Sequence, residues 1–350
     1  MLEIVPRTAA RTFLYLLLAV LCLAGWIDPV CADTSSSMTV GQSVKNDESP
    51  ALRDMPPLPL EEMGEQAAKE ANENPALGVP HKDVPDPVIQ DAATSLRGLV
   101  APLMPGPTLS FDGIGFPGVS CSCAPPDTNG EIGLTQYVQM VNEGFQVFNK
   151  ATGASVLGPV GISTLWSGFG GVCANNGGGD PIVLYDQLAD RWIITQFAGT
   201  SYITDECIAV STTGDATGSY YRYDFTLGTG FFFDYPHLAV WPDGYYLAMA
   251  VFNTTMTAYQ GPQAFVFDRA KMLSGAPATF QTPGITGGPT EDYFLPADLD
   301  GYSLPPANAP VTFVELPNSG TSYGPETTTT LDPSFWRDEI GIPQCGSFIR

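Results

Sequence analysis

A unit of about 55 residues recurs through the middle of this chain. It opens with "PPDTNGEIG" from Pro125, "DPIVLYDQLADRW" from Asp180, "YPHLAVWPDGYY" from Tyr235 and "LPADLDG" from Leu295. Aligned on Pro126, Pro181, Pro236 and Pro296, the steps are 55, 55 and 60 residues. Each complete unit reads as an apolar run, a polar corner and a second apolar run. Pro126 to Tyr137 and Pro181 to Trp192 span the same 11 residues, so an aromatic is expected to start each second strand. Third strands follow at "FQVFN", "CIAVS" and "AFVFD", then Gly-containing turns, then fourth strands at "ASVLG", "SYYRYDF" and "ATFQ". Four short antiparallel strands per repeat of this length is the pattern of a propeller blade. A sandwich also has many short strands, but no fixed step with a proline in its first strand.

The expected fold class is therefore all-β and β-propeller-like, with three full four-stranded blades and part of a fourth. Closed propellers generally have 4 to 8 blades. The chain is thus expected to be a truncated form of a longer propeller, with "PTLSFDGIGF" (107–116) supplying at most one strand to a terminal blade. The 37 glycines and 32 prolines fit such a turn-rich protein better than a helical one.

Before the repeats the chain changes character twice. Arg7 and Arg11 precede the 14-residue apolar run "FLYLLLAVLCLAGW", and "VCA" ends at Ala32. This is the layout of a secretory signal over 1–32; an uncleaved anchor is the alternative, though the run is short for a bilayer span. Residues 33–105 read as a Pro-rich acidic linker, largely disordered, with one short helix plausible over 60–73. The repeats are assigned to 106–316, and 317–350 is expected to be a Thr/Pro-rich loop and truncated C-terminus. No later segment is long and apolar enough to span a membrane. Acids outnumber Lys and Arg 37 to 14, for a formal charge of −23. That balance disfavours nucleic acid and anionic lipid as partners.

The strings "APPDTNGEIG", "YVQMVN", "LWSGFGG", "GDPIVLYDQLADRW", "DATGSYYRYDF", "YPHLAVWPDGYY" and "LPADLDG" resemble a group of exported bacterial propeller-like proteins, mostly uncharacterised. The resemblance covers about 111–316 and implies an extracytoplasmic β fold. It implies no activity. The chain departs from the group at "IPQCGSFIR", where such proteins usually continue.

Five cysteines lie beyond the signal, and export places them where disulfides form. Cys173, entering the second repeat, and Cys207, starting its third strand, are expected to pair. First and third strands of an up-and-down blade run parallel, so both starts lie on one edge, about 10 Å apart, a gap the Gly-rich loop can cross. The pairing of Cys121, Cys123 and Cys345 stays open. Zinc is disfavoured by the Cys-x-Cys spacing and by only two histidines, His81 and His237, in the mature chain.

Acids gather around the leading prolines: Asp127, Asp180, Asp234 and Asp298, with His237 after Pro236. First strands line a propeller's channel, so these residues are expected to meet at one mouth as a ligand site. Turn chemistry beside Pro and Gly explains the same pattern without a ligand. Asp298 and Asp300 in "DLDG" hint at a loose calcium cage. An EF-hand at "PDTNGEIG" is rejected, because Pro125 and Gln136 occupy positions that need acids. "GTSYG" (320–324) sits in a loop and has no credible histidine partner beyond His237, so a hydrolase elbow is disfavoured. Tyr220, Tyr221, Tyr223, Phe231, Phe232, Phe233, Tyr245 and Tyr246 are expected mostly to pack between blades, with a sugar-stacking platform as a lesser use. The leading functional reading is an exported binding or interaction module for a carbohydrate, a cell-surface component or a protein. A glycoside hydrolase or lyase with carboxylates at the channel mouth is the alternative; whether the chain is an enzyme stays open.

Overall fold

Alternating apolar and polar residues, broken by Gly-rich corners, produce strands that pair with their sequence neighbours. A computed structural model describes residues 38–58, 107–114, 127–142, 144–286, 288, 293–301, 303–307, 309–315 and 327–331, all in the unit Met38–Arg350. The expected signal, most of the expected linker including the helix expected at 60–73, Cys121, Cys123, Cys345 and "GTSYG" lie outside the described residues.

The fold is all-β, in four antiparallel sheets. One sheet holds β3 (Asn129–Ile132), β4 (Gln136–Val141), β5 (Gly144–Asn149) and β6 (Ser155–Gly161) in that order. A second holds β7 (Gly177–Asp186), β8 (Arg191–Ala198), β9 (Asp205–Ser211) and β10 (Tyr220–Thr226). A third holds β11 (Phe231–Val240), β12 (Tyr245–Asn253), β13 (Tyr259–Phe267) and β14 (Thr279–Thr282). The fourth has β15 (Phe294–Pro296), β16 (Val311–Glu315) and β17 (Thr327–Leu331). First strands neighbour one another in series: β7 contacts both β3 and β11, and β11 contacts β15.

Two sheets gain a fifth strand from the segment read as linker. β1 (Thr39–Gln42) pairs with β14, and β2 (Lys45–Glu48) pairs with β10. The linker expectation is corrected over 38–58. "TVGQ" and "KNDE" are short and polar, as edge strands are, and their backbone bonds come from partners about 175 to 240 residues away. By contrast 107–114 carries no strand. Phe111 instead packs on Tyr137 and Phe148, 6.1 and 5.1 Å between ring centroids. The Thr-rich stretch expected to be loop supplies β17, where β-branched residues suit a pleated strand.

The leading prolines have a specific cause. Register shifts fall between Gly179 and Ile182 in β7 and between Asp234 and His237 in β11. Pro181 and Pro236 sit within these bulges, where a missing N–H costs no ladder bond. The residues before them, Asp180 (φ 43°) and Tyr235 (φ 51°), are left-handed, as is Asp127 (φ 42°). The first-to-second-strand turns are equal in length: Ile132 pairs Tyr137, Asp186 pairs Arg191 and Val240 pairs Tyr245. Tyr137 is therefore equivalent to Arg191, one residue before Trp192, which corrects the aromatic alignment. Pro296 differs again, because it ends β15 instead of lying in a bulge.

Two large apolar cores fill the space between sheets. One lies between the second and third sheets, around Phe225, Phe233, Phe265 and Phe267; the other, between the first and second, holds Trp166, Trp192 and Tyr220. Tyr220, Tyr223, Phe233, Tyr245 and Tyr246 are at most 1% exposed, so the dense aromatics are core. The "LWSGFGG" segment is a clamp: Arg222 Nη1 donates to Leu165 O and Ser167 O at 2.8 and 2.9 Å, and Phe169 lies under Lys45 and Arg222.

Cys173 and Cys207 are joined, with S–S 2.07 Å and Cα–Cα 5.8 Å. The bridge closes a loop with a sequence separation of 34 residues. Restricting the unfolded chain to that degree stabilises the fold by roughly 3 to 4 kcal/mol in the entropic description. The Cys173→Ala, Cys207→Ala double variant is expected to lose about that much in urea unfolding. A loss below about 1 kcal/mol contradicts it.

Candidate functional site

The strand starts bring part of the expected cluster together. Asp127 enters β3, and Asp180 and Asp234 lie at the bulges of β7 and β11. Asn142, after β4, ties the first two: its Nδ2 donates to Asp127 Oδ2, and its Oδ1 accepts from Asp180 N at 2.8 Å. The Asp180 side chain also hydrogen-bonds the Asp127 carboxyl. Burial raises the Asp127 pKa, while the bonds from Asp180 and Asn142 pull it back. Burial, opposed by the Tyr235 N–H and reinforced by the Asp127 charge, pushes Asp234 up to about 6. A carboxyl shifted up in this way, as Asp234 is, can donate or accept a proton closer to ordinary pH.

An aromatic wall adjoins these acids. Tyr235, next to Asp234, is 50% exposed and makes an edge contact with His237 at 4.5 Å and a tilted one with Tyr293 at 5.3 Å. Tyr293 in turn meets Tyr259. Burial lowers the His237 pKa, which favours neutral imidazole, and its Nε2 has no hydrogen-bond partner among the described residues. A half-exposed ring beside carboxylates is suited to a hydroxyl-bearing ring: the aromatic face takes C–H groups and the acids accept O–H groups. Asn142 and Tyr235 escaped the sequence reading. The signals present were a lone Asn ending the apolar "YVQMV" strand and a bulky residue before a strand proline.

Asp298 does not join this group. Its Oδ1 accepts from Val240 N at 2.7 Å, at the far end of β11, roughly 20 Å of strand from Asp234. The correction follows from Pro296 ending its strand, which puts Asp298 beyond the strand. There Asp298 and Asp300 meet Glu131, with ligand oxygens within 4.8 Å of one another. Burial and then mutual repulsion raise the pKa of Glu131. Loss of solvent, and Asp300 beside it, do the same to Asp298. Three carboxylates supply six oxygens at most, the low end of the six to eight calcium takes, and only if all of them bind bidentately. Calcium here would need backbone carbonyls and water, and Asp298 Oδ1 is already engaged. The loop also binds Gln187, whose Nε2 donates to Leu299 O at 2.8 Å. It thus touches the exit ends of β3, β7 and β11.

Two motifs serve structure. In "DTNG", Asn129 bridges adjacent first strands, donating to Pro181 O and accepting from Val183 N. In "YDQLAD", Asp186 is 0% exposed and accepts from Arg269 Nε at 2.7 Å and Nη2 at 3.0 Å, and from Tyr245 Oη at 2.8 Å.

No helix among the described residues is long and apolar enough to cross a membrane. No family model, curated protein or solved structure matches the chain.

Proposed function

We propose that the chain is an exported, propeller-like binding module whose ligand is a carbohydrate held at the strand-entry mouth. The sheets are read as blades and the first strands as the channel wall. The carrying observation is the meeting of Asp127, Asp180 and Asp234 beside the exposed Tyr235 ring, with Asn142 orienting two of the acids. The Asp298–Gly301 loop lies at the opposite ends of the first strands, away from these acids. Export rests on the Arg-flanked apolar leader ending at Ala32.

A glycoside hydrolase reading is favoured by one feature: carboxyls gathered in one site with burial raising the pKa of Asp127 and Asp234, as the general acid of glycosidic-bond cleavage needs. A glycan array followed by product analysis separates the two. Saturable binding that Tyr235→Ala and Asp180→Asn each weaken about tenfold or more, with no sugar released, supports the module. Sugar release abolished by Asp127→Asn or Asp234→Asn in a folded protein supports the hydrolase. No binding and no turnover across the array overturns both.

A further inference from the structure

A second site lies behind the glycine run at the start of β7. We propose that the cavity bounded by Ile162, Ser163, Cys173, Ala174, Gly177 and Gln196 binds a small neutral polyol, or the hydroxymethyl arm of a sugar. It uses none of the side chains of the acid and aromatic mouth and stands independently of that reading.

The cavity measures about 80 Å³, room for several waters or a glycerol-sized group. Gln196 is 1% exposed. Its Nε2 donates to Cys173 O at 3.0 Å, which fixes the amide's orientation. Its Oε1 has no hydrogen-bond partner among the described residues. The Ser163 hydroxyl, buried on the same cavity, is likewise without one. Buried polar atoms are nearly always paired, so two orphans facing one space call for a guest that hydrogen-bonds both. Gln196 Oε1 accepts only; Ser163 Oγ donates or accepts. A pair of hydroxyls on adjacent carbons satisfies this set.

No charged side chain among the described residues lines the cavity, so an ionic guest would be desolvated without a counter-charge. Ile162, Ala174 and the Cys173 side chain offer apolar surface to C–H groups. Glycine keeps the space open. A Cβ on Gly177 would fall 2.7 Å from Gln196 Nε2 and 3.0 Å from Oε1, displacing the amide. Gly179, also on the cavity wall, has φ 98°, which other residues rarely adopt. The disulfide holds the segment bearing Cys173 O, and hence the partner of the Gln196 amide, against β9.

The test uses the full chain, with the Gln196 side-chain amide followed by NMR during titration with glycerol and with methyl α-glucopyranoside. The expected result is a saturable shift with a Kd on the order of millimolar, weakened about fivefold by Ser163→Ala, and no response to acetate. Ser163→Ala keeps the reporter and leaves the Gln196–Cys173 bond in place. Gln196→Met is expected to abolish saturation transfer from the protein to glycerol at this site. An unresponsive Gln196 amide, equal shifts with acetate, or unchanged affinity in Ser163→Ala overturns the proposal and leaves the cavity to water.

Discussion

Raising the pH from 5 to 9 is expected to destabilise the fold by several kcal/mol, and Glu206→Gln is expected to remove about half of that loss. Glu206 is 0% exposed on β9, opposite Phe197 and Phe225 in the ladder. Burial pushes its pKa up to about 8; the Thr195 hydroxyl opposes this only in part, and no hydrogen bond of ordinary length reaches either carboxylate oxygen. The folded state thus holds a proton that the unfolded chain releases near pH 4.5. Between those values the folded form binds more protons, so stability falls as pH rises and the loss is complete above about 8. A rise of this size corresponds to on the order of 5 kcal/mol. Asp224, pushed up to about 7 by burial and by Asp205, and Asp234, up to about 6, act in the same direction. Glutamine is equally polar and cannot ionise. Urea unfolding at pH 5 and pH 9 should therefore show the two proteins close at pH 5 and the variant several kcal/mol ahead at pH 9. Parallel pH profiles would contradict this. Nothing in the structure explains why a carboxyl is kept at this position.

Arg269→Leu is expected to cost about 3 to 5 kcal/mol, because it strands a fully buried carboxylate. Asp186 retains the Tyr245 hydroxyl and the N–H groups of Leu188 and Ala189, but loses its cationic partner. The pair ties the end of β7 to the helix Arg269–Leu273, and so the second sheet to the third. Adding Asp186→Asn to Arg269→Leu removes the stranded charge and should recover part of the loss. A single variant within about 1 kcal/mol of wild type, or a double variant worse than the single, contradicts the account.

The strands were legible where the code is local. β4–β6, β8–β10 and β12–β14 are apolar runs separated by polar or Gly-containing turns, so residue type and spacing point to them directly. The polar edge strands β1 and β2 have no such pattern and exist through partners far along the chain. Asp127, Asp180 and Asp234 were visible because bulges at strand starts favour Pro, with Asp beside it. Asp298 shares the nearby proline but not the bulge, so aligning on proline placed it at the wrong end. Asp186 read as part of a turn corner; its cation stands 83 residues away, beyond any local pattern. The cavity at Gln196 depends on three separate segments and leaves no trace in spacing.

The meeting of Asp127, Asp180 and Asp234 is the central claim, and carboxyl ¹³C titration by NMR tests it most directly. In the wild type, Asp234 should titrate at about 6. Removing the neighbouring charge with Asp127→Asn should move Asp234 to lower pH while leaving the titration of Asp298 unchanged. An Asp234 titration that Asp127→Asn does not move would show that the two carboxyls do not share a site.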